Sequence, residues 1–431
     1  MGGVHEQGAT PRVNHDPVRR FRAPGEPCYP SGMRILVADA FPKERLEDFR
    51  ALGLEVDHQP SVSVADLPTA AREARILVVR GKQVTGEVFG GAPALSLVVR
   101  AGAGVNTIDV GAASRRGVYV ANCPGQNSIA VAELAIGLLV ALDRRIPDNV
   151  ALLRAGKWDK KGFSEAEGIF GRTLGVAGVG SIGREVVKRA RALGMQVVAW
   201  SRTLDEAAAK ELGVERAADP VELARRSDAL SVHLPLSKET RGAISRAVLE
   251  ALRPGAIFLN TARAEVVDQE ALLELARAGR IRVGTDVFAG EPEKGQAEFQ
   301  SELGRLPNVY GTHHIGASTA QAQDAIARET VRIVASFLRT GRVPNCVNVA
   351  RKTPARARLV IRHFDKVGVL ANVLGLIREA GINVEEVQNT VFEEAQAASC
   401  SIDLDDAPPP ELLEKIRARK DEILFVDKVE L

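Results

Sequence analysis

No Cys-x-x-Cys pair occurs anywhere in this chain of 431 residues. Its four cysteines, Cys28, Cys123, Cys346 and Cys400, are scattered. That spacing excludes a disulfide framework and a metal-binding knuckle, and it suits a reducing cytoplasm. Surplus charge is scarce too. Lys+Arg number 57 and Asp+Glu 55, a net +2, so no bulk charge recruits nucleic acid or a membrane surface. No apolar run reaches the roughly 18–20 residues a bilayer span needs. Residues 1–32, rich in Gly, Pro and Arg, lack the apolar stretch of a secretory signal. Disorder is expected there, with translation expected to start at Met33 rather than Met1, because "MRILVADAF" opens at once on a buried-strand pattern.

What is present is an alternation. "RILVADA", "ARILVVRG" and "LSLVVRAGA" read as buried strands separated by helical text. "NSIAVAELAIGLLVALDRRIPDNVALLRAGKW" reads as one long apolar helix and its exit. A second round then begins with "RTLGVAGVGSIGREVVKRARALGMQVVAWSR" and continues through "ALSVHLP", "AIFLNTA", "RVGTDVF" and "NVYGTHH". Such alternation predicts parallel sheets covered by helices. The last stretch changes character to a β-α-β-β-α-β order, the ferredoxin-like arrangement. The fold class expected is therefore α/β, with two Rossmann-like doubly wound parallel-sheet domains and a C-terminal ferredoxin-like α+β domain.

"GVGSIG" is a G-x-G-x-x-G turn in the context that makes it specific, after a strand and opening a helix. Gly178 permits the tight turn, Gly180 lets backbone approach a pyrophosphate, and Gly183 lets the helix pack close. The amides of Ser181 and Ile182 favour phosphates. The acid expected about 20 residues on, for the ribose hydroxyls, is missing: Ser201 stands in its place and Arg202 follows. The cofactor expected is NAD. Arg202 keeps NADP open, since it could pair with a 2′-phosphate.

Three motifs fall at strand ends after that turn: "NTARAEVVD", "DVFAGEP" and "GTHHIGAST". Ligands of open α/β sheets sit beyond the carboxyl ends of strands, so Arg263, Glu291 and a histidine could converge there. Oxidising a 2-hydroxy acid needs a cation for the carboxylate, a base for the hydroxyl proton and a group favouring the protonated base. Adjacent side chains on an extended chain point to opposite faces, so one of His313 and His314 is expected in the cleft and the other outside it.

On these motifs, together with "VRAGAGVNTID", "NCPGQNSIAVAELAIGLL" and "SVHLPLSKETRG" in the same order, the chain resembles the D-isomer-specific 2-hydroxyacid dehydrogenase family. The resemblance runs from Met33 to the C-terminus. It implies that Arg263, Glu291 and His314 are catalytic, His314 because it directly precedes Ile-Gly, while His313 stands where the family usually has Pro. It implies that Thr261, Ala262, Arg263, Asp286 and the stretch His314, Ile315, Gly316, Ala317 line the nicotinamide side. It further implies that Arg80, Lys82 and the turn Gly102, Ala103, Gly104 meet the substrate's acid groups, although Gly81 and Ala264 depart from the residues usual in the family.

The implied division is a substrate domain from 33–128 and 319–345, a nucleotide domain over 129–318, a linker over 346–356 and a module over 357–431. That module resembles an ACT domain, a type that commonly binds amino acids. His363 and Asn383 match serine-contacting positions and Asp365 departs from an Asn, so L-serine is an implied effector. The implied reaction is oxidation of D-3-phosphoglycerate to 3-phosphohydroxypyruvate for serine synthesis, in a cytoplasmic homo-oligomer, dimer or tetramer, with no metal. Reduction of glyoxylate or hydroxypyruvate, and a non-enzymatic nucleotide-sensing corepressor, are the alternatives.

Overall fold

The computed structural model describes residues 32–292, 297–350 and 353–431. The expected N-terminal disorder and the choice between Met1 and Met33 lie outside these residues. The chain divides into two compact units, one ending at Asn348 and the other covering Val349–Leu431. No described helix is long and apolar enough to cross a membrane.

The first unit holds two parallel sheets. Strands β1 (Arg34–Val37), β2 (Glu55–His58), β3 (Ile76–Val79), β4 (Leu97–Arg100) and β5 (Tyr119–Asn122) align in the order β2-β1-β3-β4-β5. Its order reverses between β1 and β3. Ile35 and Val37 enter one core and Leu36 the other, so the central strands are apolar on both faces and read as unbroken runs. Residues of the late helix Ala320–Thr340 return to this sheet: Ile333, Val334 and Phe337 are fully buried in the same core as Ile35 and Phe49. Thr319 Oγ1 caps that helix by accepting the Ala322 N–H, and Gly341 ends it in a left-handed conformation.

Seven more strands form the second sheet: β6 (Thr173–Ala177), β7 (Gln196–Trp200), β8 (Glu215–Arg216), β9 (Ala229–Val232), β10 (Ala256–Asn260), β11 (Ile281–Thr285) and β12 (Val309–Gly311). They align β12-β11-β10-β9-β6-β7-β8, all parallel. This is the doubly wound dinucleotide-binding order, reversing between β6 and β9. The helix Ser181–Ala192 buries Gly183, Val186, Val187 and Ala190, the i, i+3, i+4, i+7 stripe of a helix laid on a sheet.

The second unit is an antiparallel sheet of β13 (Ala357–Phe364), β14 (Val384–Val391), β15 (Ala397–Leu404) and β16 (Ile423–Glu430), in the order β14-β15-β13-β16. Helices Val369–Glu379 and Pro410–Arg417 supply Val373, Ile377, Leu412 and Ile416 to its core.

Three expectations change. The long apolar helix is two helices, Ser128–Arg144 and Ile146–Arg154, broken where Arg145 turns left-handed at φ 50° just before Pro147. The edge strands β2 and β8 carry too little apolar text to announce themselves; their neighbours' backbone groups recruit them. The segment expected as a linker, 346–356, is tied down at its start. Val347 N–H donates to Val120 O at 2.8 Å and Val120 N–H to Asn348 Oδ1 at 2.8 Å, while 351–352 lie outside the described residues.

Candidate active site

The glycine turn is built as its spacing implies. Gly178 sits at φ 98°, and a Cβ there would lie 2.6 Å from His233 O; one on Gly183 would lie 2.0 Å from Gly178 O. Neither position has room for a side chain. Gly180 instead faces open space. Ser181 and Ile182 begin the helix, so their amides have no partner one turn back. A Cβ on Gly125 would lie 3.6 Å from Ser181 Oγ, which brings the 125–128 segment against this turn, and there Asn127 Oδ1 and Ser128 Oγ are buried without a partner. After β7, Ser201 is half-buried and Arg202 exposed. The Glu239 carboxyl is held below its ordinary value mainly by the Ser237 hydroxyl, which donates to it at 2.6 Å, with Arg202 a lesser contributor.

At the end of β10, Asn260 shapes the next turn. Its Oδ1 accepts the Ala262 N–H and its Nδ2 donates to Arg263 O, each at 3.0 Å. Thr261 Oγ1 is buried with no partner among the described residues. Arg263 Nη1 donates to the Ala262 carbonyl at 2.6 Å, while a Cβ on Gly104 would lie 3.4 Å from its Nη2. The guanidinium from the second sheet thus reaches the glycine turn after β4 in the first.

That turn differs in detail from expectation. The Gly102 N–H is spent on Arg100 O at 2.8 Å, so Ala103 and Gly104 are the residues whose amides make no hydrogen bond among the described residues. Arg100 itself was not singled out in the sequence, where it reads as the last residue of an apolar strand. It is half-buried, its Nε is buried without a partner among the described residues, and no carboxylate forms an ion pair with it there. Burial pushes its pKa below the ordinary arginine value, and the neighbouring charges of Arg263 and then Arg80 add to this. Arg263 and Arg80 thus both bear on the charge of Arg100, and the Asp39 carboxylate does so more weakly in the opposite sense. Lys82 does not join them freely: its Nζ donates to Pro60 O at 2.9 Å and stands 3.5 Å from Asp39 Oδ1. An ammonium already satisfied by a carbonyl and a carboxylate has little reason to leave them.

Beyond β11 and β12 the third part assembles. His314 Nδ1 and Glu291 Oε1 lie 2.6 Å apart. A carboxylate can only accept, so Nδ1 is the donor in this contact, and in the neutral ring Nε2 is then the nitrogen with the lone pair. Buried Asp286 accepts the Thr312 hydroxyl at 2.6 Å and the Ile315 amide at 2.8 Å on one oxygen, and the Gly316 amide at 2.8 Å on the other. The argument from strand alternation does not hold here. β12 ends at Gly311, both histidines follow it, and His314 adopts φ 52°, a left-handed conformation uncommon for a residue other than Gly. The turn clamped by Asp286, and not a strand pleat, aims His314 at Glu291. Ala317 follows at the end of this turn, half-buried. No hydrogen bond joins Arg263 to His314 among the described residues; the Asp286 amide donating to Asn260 O at 3.0 Å links their two turns.

In the second unit, His363 is buried, with Nδ1 2.7 Å from Phe364 O and Nε2 3.2 Å from Asn389 Oδ1. Asp365 N–H donates to Gln396 O, and Asn383 Nδ2 donates to Glu385. No hydrogen bond connects His363, Asp365 and Asn383 to one another among the described residues.

A dinucleotide fits these walls. Open space over Gly180, free helix-end amides and the orphaned Thr261 hydroxyl are polar groups in want of a ligand. Residues 136–316 match the NAD-binding domain of the D-isomer specific 2-hydroxyacid dehydrogenases, and residues 357–421 match the ACT domain. The chain is 36% identical over 357 residues to a D-3-phosphoglycerate dehydrogenase of Methanocaldococcus jannaschii, covering 82% of this chain and 67% of that protein. It is 41% identical over 261 residues to a hydroxypyruvate reductase of Thermotoga maritima, covering 60% and 83%. A solved NAD+-bound 3-phosphoglycerate dehydrogenase of Entamoeba histolytica superposes with a TM-score of 0.62 at 25% identity, over 74% of this chain and 99% of that one. The chain belongs to the D-isomer specific 2-hydroxyacid dehydrogenases, the NAD-dependent oxidoreductases that act on 2-hydroxy acids.

Proposed function

We propose that this enzyme oxidises D-3-phosphoglycerate to 3-phosphohydroxypyruvate with NAD, as the entry step of serine synthesis. One observation carries the choice of substrate: Arg100 and Arg263 both reach the Gly102–Gly104 turn, Arg80 and Arg263 bear on the charge of Arg100, and none of the three makes an ion pair with a carboxylate among the described residues. Like charges brought together and partly buried are costly without a counter-charge. A substrate with a carboxylate at one end and a phosphate at the other supplies it. Arg263 and the amides of Ala103 and Gly104 take the carboxylate; Arg80 and Arg100 take the phosphate.

NAD, when bound, supplies the hydride acceptor. Ser181 and Ile182 hold its pyrophosphate, and Thr261, Asp286 and the 314–317 turn lie on its nicotinamide side. His314 Nε2 removes the C2 hydroxyl proton as the C2–H pair departs, and Glu291 holds the imidazole in the right tautomer and stabilises it once protonated. The substrate domain, 33–128 with 319–345, closes over the nucleotide domain, 129–318, and excludes water. A substrate panel tests the reading. Initial rates with 3-phosphoglycerate, glycerate and lactate, and in reverse with glyoxylate and hydroxypyruvate, should favour the phosphorylated acid. A preference for glyoxylate or hydroxypyruvate would favour a reductase instead.

Two finer readings concern partners. The ACT module binds L-serine near His363, Asp365 and Asn383 and thereby lowers activity; no inhibition at millimolar serine would leave it without that effector. The chain assembles as a homo-oligomer. Supporting this, Ile146, Val150, Leu153 and Trp158 are exposed on the helix Ile146–Arg154 and its exit, beside a surface cavity of about 280 Å³. Such a patch is unusual on a monomer, and sedimentation of the full chain reads the mass. The free thiols of Cys123, Cys346 and Cys400 suit a cytoplasmic setting.

A further inference from the structure

Asp39 lies two residues beyond the short strand β1, at the end of the first sheet where its strand order reverses between β1 and β3. Its Oδ2 accepts three consecutive backbone amides after β3: Arg80 at 2.6 Å, Gly81 at 3.0 Å and Lys82 at 3.2 Å. Its Oδ1 stands 3.5 Å from Lys82 Nζ, and its carbonyl lies 3.1 Å from His58 Nε2. One carboxylate thus gathers the whole Arg80–Lys82 turn onto itself by charge-assisted bonds, the strong kind. It also holds Lys82 back. What it leaves projecting is the Arg80 guanidinium, which no group pairs with among the described residues and which lies within electrostatic reach of Arg100.

The arrangement separates two tasks. The direct contacts of Asp39 go to backbone amides and to Lys82, and it makes no ion pair with an arginine among the described residues, its effect on Arg100 being a minor one. Fixing the turn removes backbone freedom that Arg80 would otherwise lose on binding. We infer that Asp39 is a positioning residue for phosphate recognition: it acts through Arg80, touches no reacting atom, and sets the preference for a phosphorylated over an unphosphorylated 2-hydroxy acid. The inference rests on the proposed reading of the substrate as a phosphorylated acid.

The experiment compares kcat/KM for 3-phosphoglycerate and for glycerate in the full-length enzyme, with KM for NAD measured alongside. Asp39→Asn should lower kcat/KM for 3-phosphoglycerate about 10- to 100-fold, the scale of losing charge-assisted bonds, and mainly through KM. The value for glycerate should change by no more than about threefold, and KM for NAD should hold. In an Arg80→Ala background, Asp39→Asn should cost little more, because the two act through one contact. If Asp39→Asn does not fold, Asp39→Glu keeps the charge, displaces it by one methylene and should show the same selective loss. Equal losses on both substrates, an unchanged preference, or independent losses from Asp39 and Arg80 would each overturn the inference. A wild-type enzyme indifferent to the phosphate would overturn the substrate reading and this inference together, which a wild-type preference retained in Asp39→Asn would not.

Discussion

Glu291 Oε1 and His314 Nδ1 lie 2.6 Å apart across a gap of 23 residues, and the contact leaves Nε2 of the imidazole as the ring's free acceptor. The histidine is held from below as well, since Asp286 grips the amides of Ile315 and Gly316. A base so constrained has one tautomer and one orientation available to it.

His314→Ala should therefore lower kcat by about 10²–10⁴-fold, the range for a positioned general base. His313→Ala should change kcat by less than about threefold, because no hydrogen bond or ion pair ties His313 to the site among the described residues. Steady-state kinetics on the two variants check this, and the reverse ranking would move the base to His313.

Arg100→Met keeps the aliphatic bulk of the side chain and removes its half-buried, unpaired charge. KM for 3-phosphoglycerate should rise by about 10-fold or more, the effect of losing a charged hydrogen bond, while thermal stability should hold or increase, since a buried unpaired charge is costly. Kinetics with a melting curve read both effects. A drop in stability at constant KM would make Arg100 structural.

The turn at Gly183 has no spare volume. A Cβ there would meet Gly178 O at 2.0 Å, so Gly183→Ala must move the helix or the turn. Affinity for NADH, read by fluorescence titration, should fall at least about tenfold if the amides of Ser181 and Ile182 shift off a pyrophosphate. Gly180→Ala meets no protein atom within 4 Å, so its cost should appear only when the dinucleotide is present.

His233 is buried, its Nε2 lies 2.8 Å from Ser231 Oγ, and its Nδ1 has no partner among the described residues. Burial pushes its pKa down to about 4. An unfolded chain binds a proton here near pH 6.5 and the folded one does not, so between these values the unfolded state holds more protons. Stability is then full above about pH 6.5 and falls as the pH drops toward 4, by roughly 3 kcal/mol in all. Urea unfolding at a series of pH values should show this slope in wild type and a shallower one in His233→Asn.

Burial also raises the Cys123 thiol to about 11, and its Sγ lies 3.4 Å from Thr330 Oγ1. Iodoacetamide at pH 8 should leave Cys123 unlabelled in the folded enzyme and label it in urea, because the thiolate is the reactive form. Peptide mapping by mass spectrometry distinguishes the two states.

The sequence by itself determined the architecture and the family. Unbroken runs such as Ile76–Val79 declare a parallel strand buried on both faces, and the spacing of Gly178, Gly180 and Gly183 declares a dinucleotide turn, because in both cases the constraint is local and each residue carries it alone. The family resemblance implied that Glu291 and His314 act together, and the strand order came with the fold. What only the tertiary structure decided depends on distant partners. Arg100 ends an ordinary apolar strand in the text, and it becomes notable only beside Arg263 and Arg80, with the Asp39 carboxylate a weaker influence and no ion pair among the described residues. Lys82 looks like a free cation until Asp39 and Pro60 O claim it. His314 reads as a strand residue in the text, and Asp286 holds it in a turn. A charge's availability is set by what stands next to it in space, and the chain closes those distances only on folding.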